Sequence, residues 1–293
     1  MGDQENSVAG EAEAEAQAPA GPGERGRPPS EVIEAVQVRA PTRGNRKLDA
    51  LIEGVNGDPE VRGWWHMAQV NSERLGMSDH SWVHVQIVLN IALRLLRLLV
   101  KDGIQPSMVA DHGMRDRDAE VVVAAGALLH DVGMSIHRSD HEAFSLFLAE
   151  RKLRALLAGV YEDPELTVVV AESLHAIIGH RRRGEPFTVE AGVVRVADAL
   201  DMAHGRSRLP VSSGQVGIHS ISAAAIDEVN ISAGSERAVR IEVQMNNSAG
   251  IFQVDDLLAT KLRGTPLEGH VEVVASVEGE SEKRLLPEFR IET

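Results

Sequence analysis

The stretch that decides the fold is VVVAAGALLHDVGM, residues 121–134, in which nine apolar or small residues end abruptly at His130 and Asp131. A run of this length without a polar face is typical of a helix buried on all sides. Gly133 would end that helix and leave room for a close neighbour. Adjacent helical residues point about 100° apart, so the imidazole and the carboxylate can both reach one ion beside the helix end. The alternative is a hydrogen-bonded core histidine with Asp131 as a cap, and two residues alone do not decide between these interpretations.

Helical patterns surround this run between Lys47 and Met202. Residues 82–101 place apolar side chains at three- and four-residue spacings with basic residues between them, as an amphipathic helix does. Further helices are predicted over residues 140–157, from Asp163-Pro164 to about residue 178, and over 188–202, where Thr188 is a suitable N-cap. The sequence therefore predicts a mainly α protein with an all-α body over residues 43–210.

The pattern changes after Pro210. Residues 238–245 (AVRIEVQM) and 270–277 (HVEVVASV) nearly alternate apolar and polar side chains, as half-buried strands do. Residues 226–231 form a weaker strand pattern, and residues 255–263 look helical. We expect residues 211–293 to form a small α+β domain, to which the sequence assigns no role.

The first 42 residues are predicted to be a disordered tail. Seven of the eleven residues from 19 to 29 are Pro or Gly, and residues 1–42 carry eight acidic and three basic side chains. Such a segment cannot bury enough apolar surface to offset its chain entropy.

Composition excludes several classes of function. The chain has 293 residues, no cysteine and a formal net charge of −14, so thiolate catalysis, Cys-ligated zinc and iron–sulfur clusters are excluded. Nucleic acid is an unfavoured partner, because phosphate-backbone binding needs excess positive charge. No apolar run approaches the roughly 18–20 residues of a membrane span, and the N-terminus lacks the pattern of a signal peptide. We expect a cytoplasmic protein without a membrane partner.

Histidine is the unusual count. Ten of the 12 histidines lie between His66 and His204, and histidine is the commonest metal-ligating side chain. Imidazoles and carboxylates together suit divalent first-row metals. The histidines and aspartates that lie near predicted helix ends and could form or support a metal site are His84, His130, Asp131, His141, His175, His180, Asp198 and Asp201.

Two of these candidates keep open alternatives. His175 is either a ligand of an additional metal, a phosphate-binding or acid group, or a packed helix residue. Asp201 lies three residues after Asp198 on the same helix face, where it either orients a ligand or is an ordinary acid on that face.

The order His, His-Asp, His, His, Asp resembles the HD-domain superfamily of metal-dependent phosphohydrolases over roughly residues 80–208. The matching segments are DHSWVHVQIV (with His84), ALLHDVGM, HEAFSLFLA (with His141), AIIGHRRRGEPFT (with His180) and VVRVADALD (with Asp198). Residues 176–201 are similar to the corresponding stretch of the branch that hydrolyses diadenosine tetraphosphate, which favours His180 over His175 as the fourth histidine ligand.

The resemblance implies an HD-type helical bundle holding one or two divalent ions, commonly iron, manganese or another first-row metal. It implies that Asp131 bridges the two ions and that a metal-activated hydroxide attacks phosphorus. The implied ligands are His84, His130, Asp131 and Asp198 for the first ion, and Asp131, His141 and His180 for the second.

Substrate phosphates would need cationic partners. The candidates are Arg138, Arg181, Arg182, Arg183 and Arg206, with Arg208 nearby. The alternative is that the three consecutive arginines after His180 form a solvated loop face.

Two functions are compatible with the sequence. The first is a phosphohydrolase, a phosphatase or phosphodiesterase that cleaves a nucleotide or another small phosphate ester or anhydride. The second is a nucleotide-sensing regulatory protein that keeps the HD-type site and uses its C-terminal domain to engage a partner or a second copy of itself, as a homo-oligomer. The intact ligand set favours the enzyme.

Overall fold

A computed structural model describes residues 28–182, 184–202 and 222–277. Residues 1–27 of the expected tail, the candidates Arg183, Arg206 and Arg208, and the segment after residue 277 lie outside the described residues. The mainly α fold class with a small C-terminal sheet is confirmed.

Helices build the body of the protein. In chain order they are α1 (Pro29–Glu34), α2 (Arg46–Gly57), α3 (Pro59–Leu75), α4 (Trp82–Lys101), α5 (Ser107–Ala110), α6 (Asp116–Leu129), a short 3₁₀ helix (Val132–Ser135), α7 (His141–Leu157), α8 (Glu165–Gly179) and α9 (Val189–Leu200).

Helix α6 lies at the centre, as its apolar run predicts. Its residues from 121 to 129 are all buried, and it contacts α4, α8 and α9. Gly126 allows the close approach of two of these helices, since a Cβ there would lie 2.9 Å from the Cβ of Ala176 on α8 and 3.0 Å from Val194 on α9. This packing brings the ends of α6, α8 and α9 together.

Helix α4 has the bounds that the sequence predicts. Ser81 caps it by accepting a hydrogen bond from the backbone N–H of Val83. The helix is long and apolar enough to cross a membrane by length and composition, but 72% of its most apolar window is buried inside the protein. That burial is what the core helix of a folded domain shows.

Within the described residues, the C-terminal sheet contains three strands, in the order β1 (Ile226–Ala233), β2 (Val239–Met245) and β3 (Val271–Val277). Strand β2 pairs antiparallel with β1 and parallel with β3. Buried and half-buried residues alternate along β2, which confirms the half-buried strand that its sequence predicts. Strands β1 and β2 contact α4.

The connection between β2 and β3 is helical, as predicted. It contains a 3₁₀ turn (Ser248–Gly250), a π-helix (Gln253–Ala259) and α10 (Thr260–Leu262). The last two contact α9, so the C-terminal region packs against the helical body.

The structure places packed residues inside the segment predicted to be a disordered tail. Helix α1 lies in it, and Val36 and Val38 are buried. The side-chain amide of Asn56 accepts a hydrogen bond from the backbone N–H of Val38 and donates one to its carbonyl, both at 2.8 Å. These contacts place residues before the predicted boundary at residue 42 against α2, a distant partner that composition does not reveal.

Candidate metal centre

Two groups of buried histidine and aspartate side chains meet at the ends of the central helices. The first is His84, His130 and Asp198, and the second is Asp131, His141 and His180. In each group one ligand atom per residue lies within 4.8 Å of the others. The six residues are the six that the sequence analysis selects as metal ligands.

Five of these side chains lie at helix ends. His84 lies in the first turn of α4 and His141 begins α7, whereas His130 follows α6, His180 follows α8 and Asp198 lies in the last turn of α9. Residues far apart in the chain thus converge because their helices pack around α6.

Asp131 faces both groups. Its Oδ2 lies 3.3 Å from His130 Nε2 and 3.5 Å from His84 Nε2. Its Oδ1 lies 3.1 Å from His141 Nε2 and 3.6 Å from His180 Nε2. The two carboxylate oxygens therefore face different pairs of histidines, which is the arrangement that a bridging ligand requires.

The Nδ1 atoms of the four histidines point away from the centre. His130 Nδ1 donates to Ala127 O at 2.8 Å, His180 Nδ1 donates to Ile177 O, and His141 Nδ1 lies 3.0 Å from Arg138 O. His141 Nδ1 also lies 2.9 Å from the N–H donor Arg138 Nη1. We assign the proton to Nδ1 in His130 and His180, where each contact offers an acceptor oxygen. The Nε2 lone pairs are then left for a ligand.

Asp201 has the same effect on His84. Its Oδ2 accepts a hydrogen bond from His84 Nδ1 at 2.6 Å, and both side chains are buried. A carboxylate at this position fixes the tautomer and the orientation of a metal-ligating imidazole. Of the two interpretations left open by the sequence, the structure favours an orienting role for Asp201.

The donor set fits a metal ion. His84 Nε2 and His130 Nε2 lie 3.2 Å apart, and with both protons on Nδ1 two lone pairs face each other at this distance. A shared proton or a cation between them removes the repulsion. Since the surrounding ligand atoms are imidazole nitrogens and carboxylate oxygens, a divalent first-row ion fits the site.

The pKa values of the second group favour ligand forms for two of its members. Burial alone would raise the pKa of Asp131, but His130, His141 and His180 hold it well below the usual range. Burial lowers the pKa of His180, which favours the neutral ring. Burial also acts to lower the pKa of His141, yet Asp131 and Glu142 raise it overall. Metal binding at His141 would therefore displace a proton.

Gly133 allows the turn that follows Asp131 to lie close to the start of α7, which carries His141. A Cβ at this position would lie 2.0 Å from the backbone oxygen of His141 and 2.6 Å from the backbone nitrogen of Ser145. The Ser145 hydroxyl donates to His130 O at 2.6 Å and accepts from Gly133 N at 2.9 Å. Only a glycine lets the turn after Asp131 pack this closely against α7.

His175 is not brought into either group. Its Nε2 accepts a hydrogen bond from the backbone N–H of Phe187 at 3.0 Å, and its ring stacks on the Phe187 ring with centroids 4.5 Å apart. Burial lowers its pKa, which suits an acceptor. These contacts favour the packed-residue interpretation over an additional ligand.

The candidate arginines are placed unequally. The Arg138 Nη1 lies 2.9 Å from His141 Nδ1, at the edge of the second group. Arg181 and Arg182 are exposed, and Arg182 pairs with Asp256 at 2.8 Å. Among the arginines that the structure describes in this set, Arg138 is thus the one seen to contact a candidate ligand.

Two cations that the sequence analysis did not select contact this region. Lys261 of α10 donates to Asp198 Oδ2, and the buried Arg195 of α9 donates to the backbone oxygen of Lys261. Arg195 carries a recognisable signal, since it is a charge inside the apolar run VVRVADALD. Lys261 carries none, because its partner is 63 residues away.

Comparison with known proteins agrees with this site. The family model for the HD domain matches residues 78–203, which include all six candidate ligands. An uncharacterized protein of Methanocaldococcus jannaschii, MJ1020, is 41% identical over 207 residues, covering 71% of this chain and 80% of the relative. No solved structure matches. On the match to the family model, the chain belongs to the HD-domain superfamily.

Proposed function

We propose that the protein is a metal-dependent phosphohydrolase acting on a small phosphorylated molecule, with a nucleotide as the first candidate. The observation that carries the proposal is Asp131, whose two oxygens face two separate groups of buried ligands. Membership of a superfamily of metal-dependent phosphohydrolases supports it. A net charge of −14 favours a small substrate over a nucleic acid. We also propose that the protein acts in the cytoplasm.

The six ligands would hold two divalent ions. Such ions, when bound, lower the pKa of a coordinated water and neutralise charge on phosphoryl oxygens. We propose iron, manganese or another first-row metal from the donor set.

The protein's own residues hold and orient this centre. Asp131 stays ionised, and the outward Nδ1 contacts keep the imidazole lone pairs directed inward. His84 and His130 are fully buried, so these two rings are shielded from bulk water. Arg138 is exposed beside His141, where its guanidinium would bind a phosphate oxygen of the substrate.

The test is hydrolysis of p-nitrophenyl phosphate and bis-p-nitrophenyl phosphate by the purified full chain with added Mn²⁺, together with metal analysis. We expect about two equivalents of metal and turnover of at least one ester. Asp131→Ala should abolish turnover and reduce metal content.

Glu172→Gln is the matched control. Glu172 pairs with His112 at 3.0 Å, outside both groups, so this variant also alters a carboxylate–histidine pair but should keep metal and turnover. Tight nucleotide binding without turnover in the metal-loaded protein would instead support the nucleotide sensor. Full turnover by Asp131→Ala would contradict the proposed site.

A further inference from the structure

The C-terminal region sends one side chain into the metal centre. Lys261 Nζ donates to Asp198 Oδ2, while Asp198 Oδ1 faces His84 Nε2 at 3.4 Å. The carboxylate therefore points one oxygen at the first ligand group and the other at the lysine. The Lys261 side chain is only 14% exposed, so this is an enclosed contact and not a surface ion pair.

The position of Lys261 is held by a buried guanidinium. Arg195 Nε donates to Lys261 O at 2.8 Å, its Nη1 donates to Gly179 O at 3.1 Å, and its Nη2 donates to Arg182 O at 2.9 Å. The same side chain thus ties α10 to α9 and to the loop that follows His180. Lys261 is fixed relative to two of the elements that carry ligands.

The π-helix is a second feature of the same segment. It covers Gln253–Ala259 and leads directly into α10, and its Asp256 pairs with Arg182 at 2.8 Å. π-Helical segments are rare in proteins, and those that occur often lie at functional sites. The chain here is shaped to lie against the loop after His180.

The charges around Lys261 indicate which kind of ligand it would bind. Two divalent ions would bring four positive charges, which equal the four negative charges of the ligands Asp131 and Asp198 and of the outer carboxylates Asp201 and Glu142. The ligand set would then need no further cation, and a lysine beside it would add an excess positive charge and be repelled by the ions. An anionic ligand bound beside Asp198 would remove this repulsion of Lys261, because its negative charge would neutralise the excess positive charge.

We propose that Lys261 is a phosphate-binding residue, through which the C-terminal region holds an anionic phosphate oxygen of the substrate beside Asp198. This inference rests on the proposed function. Lys261 would then act from the side of the first group, and Arg138 from the side of the second. The C-terminal α+β region is accordingly one wall of the substrate site.

The experiment measures binding of inorganic phosphate to the Mn²⁺-loaded full chain by calorimetry, with metal content determined on the same samples. Lys261→Met should keep the metal and weaken phosphate binding about 10- to 100-fold, as loss of a hydrogen bond to a charged group does. Lys261→Arg should restore part of the binding. Arg263→Met is the control, because Arg263 lies two residues away with its side chain 67% exposed.

Several results would overturn the inference. Phosphate binding by Lys261→Met equal to that of the wild type would remove the lysine from the substrate site. Tighter Mn²⁺ binding with unchanged phosphate binding would make it a counter-ion that competes with the metal. If the wild type with about two equivalents of Mn²⁺ neither binds phosphate nor hydrolyses either ester, the proposed function itself fails. Thermal unfolding of the metal-free variants shows whether they fold.

Discussion

Asp201→Ala tests whether an outward carboxylate sets the metal affinity of the first group. The His84 Nδ1 to Asp201 Oδ2 hydrogen bond is 2.6 Å long and buried. Without it, the His84 ring loses the partner that holds its proton on Nδ1. Hydrogen bonds to charged groups contribute roughly 1.5–3 kcal/mol, and removing an outer partner of this kind typically weakens metal binding about 10- to 100-fold. Since tenfold corresponds to about 1.4 kcal/mol, the two ranges agree.

The assay is calorimetric titration of the metal-free protein with Mn²⁺. Asp201→Ala should weaken the first site about 10- to 100-fold, and Asp201→Asn, which keeps an acceptor oxygen but not the charge, should fall between it and the wild type. Glu172→Gln should bind as the wild type does. Unfolding curves of the metal-free variants separate a loss of folding from a loss of binding.

Wild-type affinity in Asp201→Ala would refute the reasoning. It would mean that packing alone orients His84, and that the short contact with Asp201 follows from the fold without affecting the ligand. An equal loss in Asp201→Asn and Asp201→Ala would show that the charge matters and the acceptor atom does not.

Further predictions concern the second group, the glycine turn and acid stability. His180→Ala should leave about one equivalent of metal in place of two, and unchanged metal content would remove His180 from the ligands. Gly133→Ala should destabilise the fold by about 3 kcal/mol or more in urea unfolding, because its Cβ would overlap the backbone of α7, whereas Gly57→Ala, with nothing within 4 Å of its Cβ, should not. Burial acts to raise the pKa of Asp118, but Lys47 and Tyr161 lower it overall from 3.8. Its stabilisation should therefore be complete well above pH 3.8 and be lost as pH falls through the lower folded pKa. Unfolding curves from pH 6 to about 3 should show the difference between wild type and Asp118→Asn shrinking as pH falls.

The sequence predicted what is local. The periodicity of α4 and the apolar run of α6 gave helices at the observed positions, because each pattern is complete within one segment. Thr188 is predicted to be a cap, and its hydroxyl accepts a hydrogen bond from the backbone N–H of Ala191. The candidate ligands are recognisable because imidazoles and carboxylates at helix ends are chemically distinctive. The resemblance of their order to the HD-domain superfamily implies which of them share an ion, which their spacing alone does not.

What the sequence did not predict depends on contacts between distant segments. Val36 and Val38 are packed through Asn56, and Lys261 contacts Asp198 across 63 residues. His175 has the same chemistry as His180 and lies five residues before it, but its nitrogen is taken by the backbone of Phe187. A pattern of residue types does not reveal which partner a side chain meets.

The direction of three helices favours cations at this centre. Helices α6, α8 and α9 all end at the site, and a helix C-terminus carries a partial negative charge that favours cations. The backbone oxygens of Ala127 and Ile177, which accept from the ligand histidines, belong to these ends. A phosphate gains nothing from them, since anions bind at helix N-termini. These three helix ends favour metal ions, whereas α4 and α7 present their N-termini with His84 and His141. If the proposed function holds, the metal ions and cationic side chains would hold the anionic substrate, and among the described residues Arg138 and Lys261 contact candidate ligands.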